Sequence, residues 1–364
     1  MLGNFSQITA NNGGLITLPI GLKPVYIFDV PSEMKEVVPL LVQAPKVLPE
    51  NRLLAGKVTV TNPFDTPLHG KLIAKPIRGT SISLSKSKVS LAPGATEVLD
   101  VTLKAEFLKR RPYLLSVDLQ NEQGKVIAAA QSIFKSNGVI QMIPEATTTI
   151  TLDGNDDEWS DIKGVVCDDV DSVVHGKPNF AEVWLPQWMS KEDLSLNLKL
   201  AWREDGLYFL LKVTDDKVIP APEGAHAFRY DCLELFFDGR KFGERGTTIS
   251  VGADQAVITP NDTEQAKPCK FWFARKDNEQ VSADLQTVSR KTSDGYVIEG
   301  KLVPKPWLDF KLLPGSQFMM DFLVDDTDDT NPKWLRKSAM AVHGTFNNYV
   351  NPDLWGRYEL EAAP

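Results

Sequence analysis

Short segments of alternating hydrophobic and polar residues dominate the first 140 residues of the chain. The segment at 57–61 (KVTVT) has the two-residue period of a half-buried strand. Similar segments recur roughly every ten residues. They are separated by turn-forming sequences such as NPFD at 62–65 and APGA at 92–95. Short strands at this spacing, with turn residues between them, predict an antiparallel β-sandwich of immunoglobulin-like type.

The remainder of the chain is also rich in strand patterns. The clearest lie at 194–202, 207–213, 232–237, 296–302 and 318–324. Helical patterns are short and confined to 156–162 and 307–310, and the sequence contains no glycine-rich nucleotide motif. The sequence therefore predicts an all-β protein made of two antiparallel β-sandwich domains.

Tryptophan and cysteine divide the chain into two compositional halves. All eight tryptophans and all three cysteines lie beyond residue 150. Turn-forming residues at 136–138 and 144–147 mark the change. We expect the immunoglobulin-like sandwich to span 31–140 and the second sandwich to span 145–364, with residues 1–30 forming separate N-terminal strands.

Composition and charge narrow the classes of function. With 42% hydrophobic and 24% charged residues, the chain has the composition of a folded protein. Its net charge of −8 and pI near 5.2 argue against nucleic acid or an anionic membrane as a partner, because both attract clustered lysine and arginine. No apolar run approaches the roughly 20 residues that span a bilayer. Cys167, Cys232 and Cys269 fit no zinc or redox motif, so free thiols and one disulfide both remain open.

Five motifs follow one another in the second half. They are ITLDGNDDEW at 150–159, AWREDGLY through VTDD at 201–216, DCLELFFD at 231–238, GYVIE at 295–299 followed by Pro304, and WGRYEL at 355–360. In this order they resemble the motifs of the family 9 carbohydrate-binding modules, over residues 145–362. The resemblance implies a β-sandwich that binds carbohydrate and performs no catalysis.

A second resemblance concerns the N-terminal strands. Gly3-Asn4 precedes GLITLP at 14–19, and PVYI follows at 24–27. These residues resemble the last strands of the small sandwich that follows the catalytic barrel in several glycoside hydrolases. The resemblance implies that residues 1–30 are the end of an upstream hydrolase domain. The alternative is an N-terminal arm that pairs with the first sandwich.

The family resemblance also implies a set of sugar-binding residues. In the family, a terminal sugar is held between two tryptophans, with charged and amide groups around it. The matching aromatic positions here are Phe228 and Tyr349, and the motif acid is Glu234. The neighbouring candidates for hydrogen bonds are Arg229, Asn347 and Asn348. Because both rings are smaller than tryptophan, we expect weak binding. Trp184 and Trp188 form a second candidate platform.

Acidic residues cluster in several turns of the second half. Calcium prefers six to eight oxygen ligands, which carboxylates supply. The family resemblance implies structural calcium, and the candidate ligands are Asp153, Asp215 and Asp216. Acidic turns without a bound ion are the alternative.

Catalytic motifs are missing from the sequence, which contains neither a G-x-S-x-G elbow nor a recognisable Ser-His-Asp arrangement. We therefore expect a non-enzymatic accessory region of a larger glycoside hydrolase, which directs that enzyme to a polysaccharide or oligosaccharide. Such a protein acts outside the cell, in the periplasm or at the cell surface. The start of the chain lacks the basic and apolar regions of a signal peptide, so we expect an export signal upstream.

Two alternatives belong to other functional classes. One is a structural spacer that binds no sugar. The other is a haem-binding electron-transfer protein, since related sandwiches hold haem through methionine or histidine ligands. The available axial ligands are His175, Met189, His226, Met319, Met320 and His343.

Overall fold

A computed structural model describes most of the chain, namely residues 40–43, 47–48, 52–109, 111–136, 139–178, 187–223, 225–240, 249–261, 267–269, 281–330 and 336–363. These residues form 21 strands and four single-turn 3-10 helices, so the all-β prediction is confirmed. The strands are β1 Leu40–Gln43, β2 Leu53–Thr61, β3 Leu68–Ala74, β4 Thr80–Leu84, β5 Lys88–Leu91, β6 Thr96–Ala105, β7 Pro112–Gln120, β8 Val126–Lys135, β9 Gln141–Pro144, β10 Val165–Cys167, β11 Val173–His175, β12 Leu194–Arg203, β13 Gly206–Asp215, β14 Cys232–Asp238, β15 Ala253–Ile258, β16 Lys267–Cys269, β17 Ala283–Thr292, β18 Gly295–Pro304, β19 Gln317–Asp326, β20 Ser338–Ala341 and β21 Gly356–Glu361. The 3-10 helices are Asp157–Trp159, Ala227–Arg229, Pro306–Leu308 and Pro352–Leu354. None of the helices in this part of the chain is long and apolar enough to cross a membrane.

The first sandwich contains two four-stranded antiparallel sheets. Their strand orders are β1-β2-β6-β4 and β5-β3-β7-β8. The burial of side chains reproduces the alternation seen in the sequence. Val58 and Val60 lie in the core, whereas Lys57 of the same strand is exposed to solvent. The immunoglobulin-like type of this sandwich stays a prediction.

The second sandwich is larger and pairs a six-stranded sheet with a seven-stranded sheet. The six-stranded sheet has the order β10-β12-β13-β18-β17-β16. The seven-stranded sheet runs β11-β20-β19-β14-β15, and β21 pairs with β19. Every described residue of β14 is buried, because one face lies on the main core and the other face is covered by loops and neighbouring side chains. The covered outer face of this sheet carries the candidate site.

Strand β9 belongs to the second sandwich although it precedes residue 145. It runs parallel to β21, with Ile143 opposite Leu360. Ile143 is 1% exposed and packs in the main core of the second sandwich. The second sandwich therefore extends at least to Gln141 at its N-terminal side.

Two of the sequence motifs meet at a buried glutamate. Glu299 of β18 accepts hydrogen bonds from the backbone N–H groups of Asp153 and Gly154, at 2.9 and 2.8 Å. Its other oxygen accepts the indole N–H of Trp159 at 2.9 Å. Asp153, Gly154 and Trp159 come from the motif at 150–159, so Glu299 holds this motif against the outer face of the six-stranded sheet.

Candidate functional site

The candidate site is built on the outer face of the seven-stranded sheet. Residues alternate between the two faces of a strand. In β14, Leu233 and Leu235 therefore face the main core, and Glu234 faces outward. Gln255 of β15 and Asp325 of β19 lie on the same outer face. Three polar side chains thus gather on a sheet whose other face is apolar.

Arg336 joins these polar groups. Its guanidinium donates to the carboxylates of Asp325 and, at 3.2 Å, Glu234. The amide of Gln255 donates to the other oxygen of Glu234. Arg336 is only 8% exposed, and its Nε has no hydrogen-bond partner among the described residues. The base of the site therefore contains a fixed cation, two acids and a buried donor without a partner in the described part of the chain.

Aromatic rings surround the Arg336 guanidinium. The carbon Cζ lies 5.9 Å from the Phe228 ring and 5.0 Å from the Phe346 ring, within the range of cation–π contacts. His175 stacks on Phe346 at 4.8 Å, and the Tyr349 ring is 6.4 Å from Phe346. Phe228 is half-buried and Tyr349 is 44% exposed, so neither ring lies in the core.

A tight turn after β20 carries two of these rings. The buried carboxylate of Asp321 accepts the backbone N–H groups of His343 and Gly344, at 3.0 and 2.6 Å. It also accepts the side-chain amide of Asn348 at 2.8 Å. The Asn348 oxygen accepts the backbone N–H of Thr345 at 2.9 Å. This network fixes the turn from which Phe346 and Tyr349 project.

Burial shifts the pKa values of several groups in the site. It raises the pKa of Asp325, with a further contribution from the Glu234 carboxylate, while Arg336 acts in the opposite direction. Burial also raises the pKa of Asp321 to about 6, although its hydrogen bonds favour the ionised form. The pKa of His175 is lowered by burial and by Arg336. A hydrogen bond with the Arg336 backbone opposes this shift, and the lowered pKa favours the neutral form of the stacked His175 ring.

The structure brings together most of the residues predicted to bind sugar. Phe228 and Glu234 both contact Arg336, and Tyr349 joins them through Phe346. Asn347 and Arg229 are exposed near these rings. Asn348 is different, because it is fully buried. Its side-chain amide bonds Thr345 and Asp321, so it stabilises the turn and does not face solvent.

Sequence reasoning missed four members of this cluster: Arg336, Phe346, Gln255 and His175. Phe346 could have been found, because it belongs to the same aromatic turn as Tyr349. Arg336 lies outside all five motifs, and only the fold shows that its side chain reaches Glu234.

Of the two tryptophans in the alternative platform, only Trp188 lies in the described part of the chain. Trp188 packs partly buried against the main core, and its indole donates to the carbonyl oxygen of Leu194 at 2.8 Å. Its indole is therefore held in a structural contact. Trp184 lies outside the described residues.

Carboxylates gather at one end of the second sandwich, between its two sheets. Asp215, Asp231 and Asp326 are all buried, and each offers an oxygen within 4.8 Å of the others. Beside them lies a second group, Asp193, Asp216 and Asp328. The ammonium of Lys337 contacts both groups, at 2.7 Å from Asp328 and 3.6 Å from Asp326.

The predicted calcium ligands do not form one cluster. Asp215 and Asp216 fall into the two neighbouring groups of acids. Asp153 lies instead beside Glu299 on the outer face of the six-stranded sheet, whereas Asp215 points into the space between the sheets. The Asp153 carboxylate accepts the backbone and side-chain N–H groups of Asn155, at 2.8 and 2.9 Å. Asp153 was grouped with the other two because sequence position does not reveal which face of the sheet a residue occupies.

The methionines and histidines considered as haem ligands are dispersed. Met319 and Met320 pack on opposite faces of the seven-stranded sheet, and Met189 is 76% exposed. His343 is buried 3.0 Å from the Tyr358 hydroxyl. The cysteines Cys167 and Cys232 are buried and carry free thiols, while the side chain of Cys269 lies outside the described residues.

Comparison with solved structures found several similar chains. Two solved structures of a family 9 carbohydrate-binding module from Caldicellulosiruptor kristjanssonii, in complex with cellotriose and with glucose, are 17% and 18% identical to this chain. They cover 62% of it and 95% and 97% of their own chains, with TM-scores of 0.43 and 0.44. A FixG-related protein from Vibrio parahaemolyticus is 16% identical over 28% of this chain and 98% of its own, with a TM-score of 0.23.

The comparison with curated proteins gave no significant match. The profile of a protein family, described as carbohydrate family 9 binding domain-like, matches residues 162–363. This range covers more than half of the chain and contains the whole aromatic site. The resemblance inferred from the five motifs is therefore confirmed, and the chain belongs to the family 9 carbohydrate-binding domains.

Proposed function

We propose that the protein binds a polysaccharide or oligosaccharide on the outer face of the seven-stranded sheet. The observation that carries the proposal is the arrangement of Phe228, Phe346 and Tyr349 around the Arg336–Glu234 pair. A sugar presents flat patches of C–H groups flanked by hydroxyls. It therefore needs aromatic faces together with donors and acceptors, and this site supplies both.

The residues have separate roles in this proposal. Phe228 and Tyr349 stack on the sugar, and Glu234 and Arg336 bond its hydroxyls. Asn347 and Arg229 contact the outer edge of the ligand. Each stacked ring contributes about 1 kcal/mol. Together with the hydrogen bonds of Glu234 and Arg336, two phenyl-sized rings support a dissociation constant near the millimolar range, which corresponds to a binding free energy of about −4 kcal/mol.

Calorimetric titration with cellotriose and glucose tests this site directly. We expect Phe228→Ala and Tyr349→Ala to abolish measurable binding without changing the circular dichroism spectrum. Phe228→Trp should strengthen binding, because a larger ring covers more of the sugar. Phe64→Ala is the matched control, since Phe64 is an exposed ring of the first sandwich.

The proposal fails if the alanine variants bind as the parent protein does. A glycan array then tests the spacer alternative: no binding to any glycan would favour a purely structural role.

We also propose that the buried acids hold calcium. The fit is supported by unpaired oxygens, because Asp215 Oδ2 and Asp326 Oδ1 are buried without hydrogen-bond partners in the described part of the chain. With Asp231 they offer three converging hard ligands, the kind that calcium prefers. A bound cation would offset the repulsion among three buried carboxyl groups.

We further propose that the protein works as the accessory region of a larger, secreted glycoside hydrolase. A polysaccharide-binding site is useful where polysaccharides are degraded, outside the cell or at its surface. The test is an antibody against the 40.4 kDa chain, used on culture supernatant and cell fractions of the source organism. A larger secreted polypeptide with hydrolase activity is expected. A protein found only inside cells would contradict the proposal.

A further inference from the structure

The segment between β6 and β7 of the first sandwich reaches into the second sandwich. Leu108 packs in the core of the first sandwich. Its neighbour Phe107 packs against the main core of the second, with its ring 4.9 Å from the imidazole of His343. Two consecutive residues therefore belong to two different cores, and this segment couples the two sandwiches.

Lys109 completes this contact. It is 8% exposed, and its ammonium donates to the carbonyl oxygen of Ala341 at 2.7 Å. Burial lowers the pKa of Lys109, whereas Cys167 and Asp321 act to raise it. Burying an ammonium costs free energy of desolvation, which an apolar side chain at the same contact would avoid.

Ion pairs surround this contact. Arg78 pairs with Asp168 and, at 2.9 Å, with Asp169, and Arg111 pairs with Asp171 at 2.9 Å. These pairs are partly exposed, and such pairs contribute little to stability. They nevertheless join the two sandwiches at further points beside Phe107 and Lys109.

The contact leads directly to the aromatic turn. Ala341 ends β20, and the next residues approach Asp321 through the N–H groups of His343 and Gly344. Asp321 also holds Asn348, so one buried carboxylate connects the interface to the turn that carries Phe346 and Tyr349. A shift of Ala341 or His343 would therefore displace the two rings.

We propose that Phe107 and Lys109 are positioning residues of the carbohydrate site, and that the first sandwich sets the orientation of the Phe346–Tyr349 turn. This inference rests on the proposed function. It gives the first sandwich a part in ligand binding that a passive spacer does not have.

The test uses the full chain with Lys109→Met and Phe107→Leu, each of which places an apolar side chain of similar length or volume at its position. Lys104→Met is the control, because Lys104 is an exposed lysine of the same sandwich. Two readouts are taken at a temperature where all variants are fully folded. One is the dissociation constant for cellotriose. The other is the indole N–H resonance of Trp355, which donates to the Asn348 carbonyl at 3.0 Å and reports on the turn.

We expect both interface variants to raise the dissociation constant at least threefold and to move the Trp355 resonance, while Lys104→Met changes neither. A role confined to stability would change only the melting temperature, and that result would overturn the inference. If the parent protein binds no cellotriose, the proposed function fails. The Trp355 resonance then decides the coupling alone: a shift supports it, and an unchanged resonance overturns it.

Discussion

At the scale of residues, the sequence motifs are explained by contacts between distant parts of the chain. Glu299 holds the motif at 150–159 through three N–H groups. Gly356 of the closing motif lies under the His343 ring, where an added Cβ would come within 2.2 Å of the ring carbon Cδ2. Several motif residues thus build the sandwich, and only some of them, such as Glu234, belong to the candidate site.

Glu299→Gln should lower the free energy of unfolding by about 2 kcal/mol. An amide has one acceptor oxygen where the carboxylate has two, so at least one buried N–H of Asp153, Gly154 or Trp159 loses its partner. Urea denaturation measures the change. Glu361→Gln is the control, since Glu361 is exposed, and equal stability of the two variants would contradict this account.

His343 should make the protein sensitive to acid. Burial, assisted by the Lys109 ammonium, lowers the pKa of His343 to about 3. The unfolded chain takes up a proton at the ordinary value of about 6.5. The folded state then binds fewer protons, so stability is complete above about pH 6.5 and falls as the pH decreases towards 3.

The comparison is made with His343→Gln, which does not titrate. Between pH 6 and 4, the parent protein should lose about 1.4 kcal/mol per pH unit more than the variant. Lys109 and Tyr358 face the side chain at 343, and Asp321 accepts its backbone N–H, in both proteins, so their own titrations largely cancel in the difference. Parallel stability curves would show that His343 does not titrate as described.

At the scale of elements, the strands were the most predictable feature. The alternation at 57–61 and the apolar runs at 232–237 and 318–324 all became strands, because burial of one or both faces is recorded in the local pattern. Strand β9 was missed as part of the second sandwich. Its four residues have no distinctive pattern, and only pairing with β21, more than 200 residues away, makes it a strand.

The site was predictable in part for the same reason. Phe228, Glu234 and Tyr349 were reached through family motifs, and the structure groups them around Arg336. Arg336 itself could not be inferred, because side chains that meet across strands leave no local signature. The face of the sheet that Asp153 occupies was equally invisible in the sequence.

Strand β9 gives a direct prediction about the limits of the second sandwich. A chain that begins at residue 139 should unfold cooperatively and at a higher temperature than one that begins at 145. The shorter chain lacks Ile143, and loss of a buried isoleucine costs about 2–5 kcal/mol. Ile143→Ala in the longer chain should reproduce most of the difference. Equal melting temperatures for the two lengths would contradict the role of β9.

At the scale of the whole molecule, acids from both sheets meet at one end of the second sandwich. Burial raises the pKa of Asp231 to about 9, with a further contribution from Asp215, and raises that of Asp326 to about 7. Three buried acids in contact oppose folding unless their charge is compensated; the Lys337 ammonium does this in part, and protons or a further cation would do the rest. The proposed calcium ion would thus tie together strands that are distant in the sequence.

Calcium should raise the melting temperature of the protein relative to EDTA. At a calcium concentration 100-fold above the dissociation constant, the stabilisation is about 2.7 kcal/mol. Asp215→Asn should remove this shift and raise the melting temperature in EDTA. The asparagine keeps the acceptor for the Lys217 N–H and replaces the unpaired oxygen by a donor. Asp161→Asn, at an exposed acid, should leave the calcium shift intact.

The parallel pairing of β9 and β21 also determines how the second sandwich would carry a mechanical load. The two strands run side by side in the same direction, with residues 141–144 opposite 358–361. Tension applied through the chain before β9 and after β21 pulls the strands past each other, so that all the backbone hydrogen bonds between them are loaded together. Strands in a hairpin would instead open one bond at a time. A sandwich with this geometry should resist extension when one side is anchored to a fibre and the other to a moving particle.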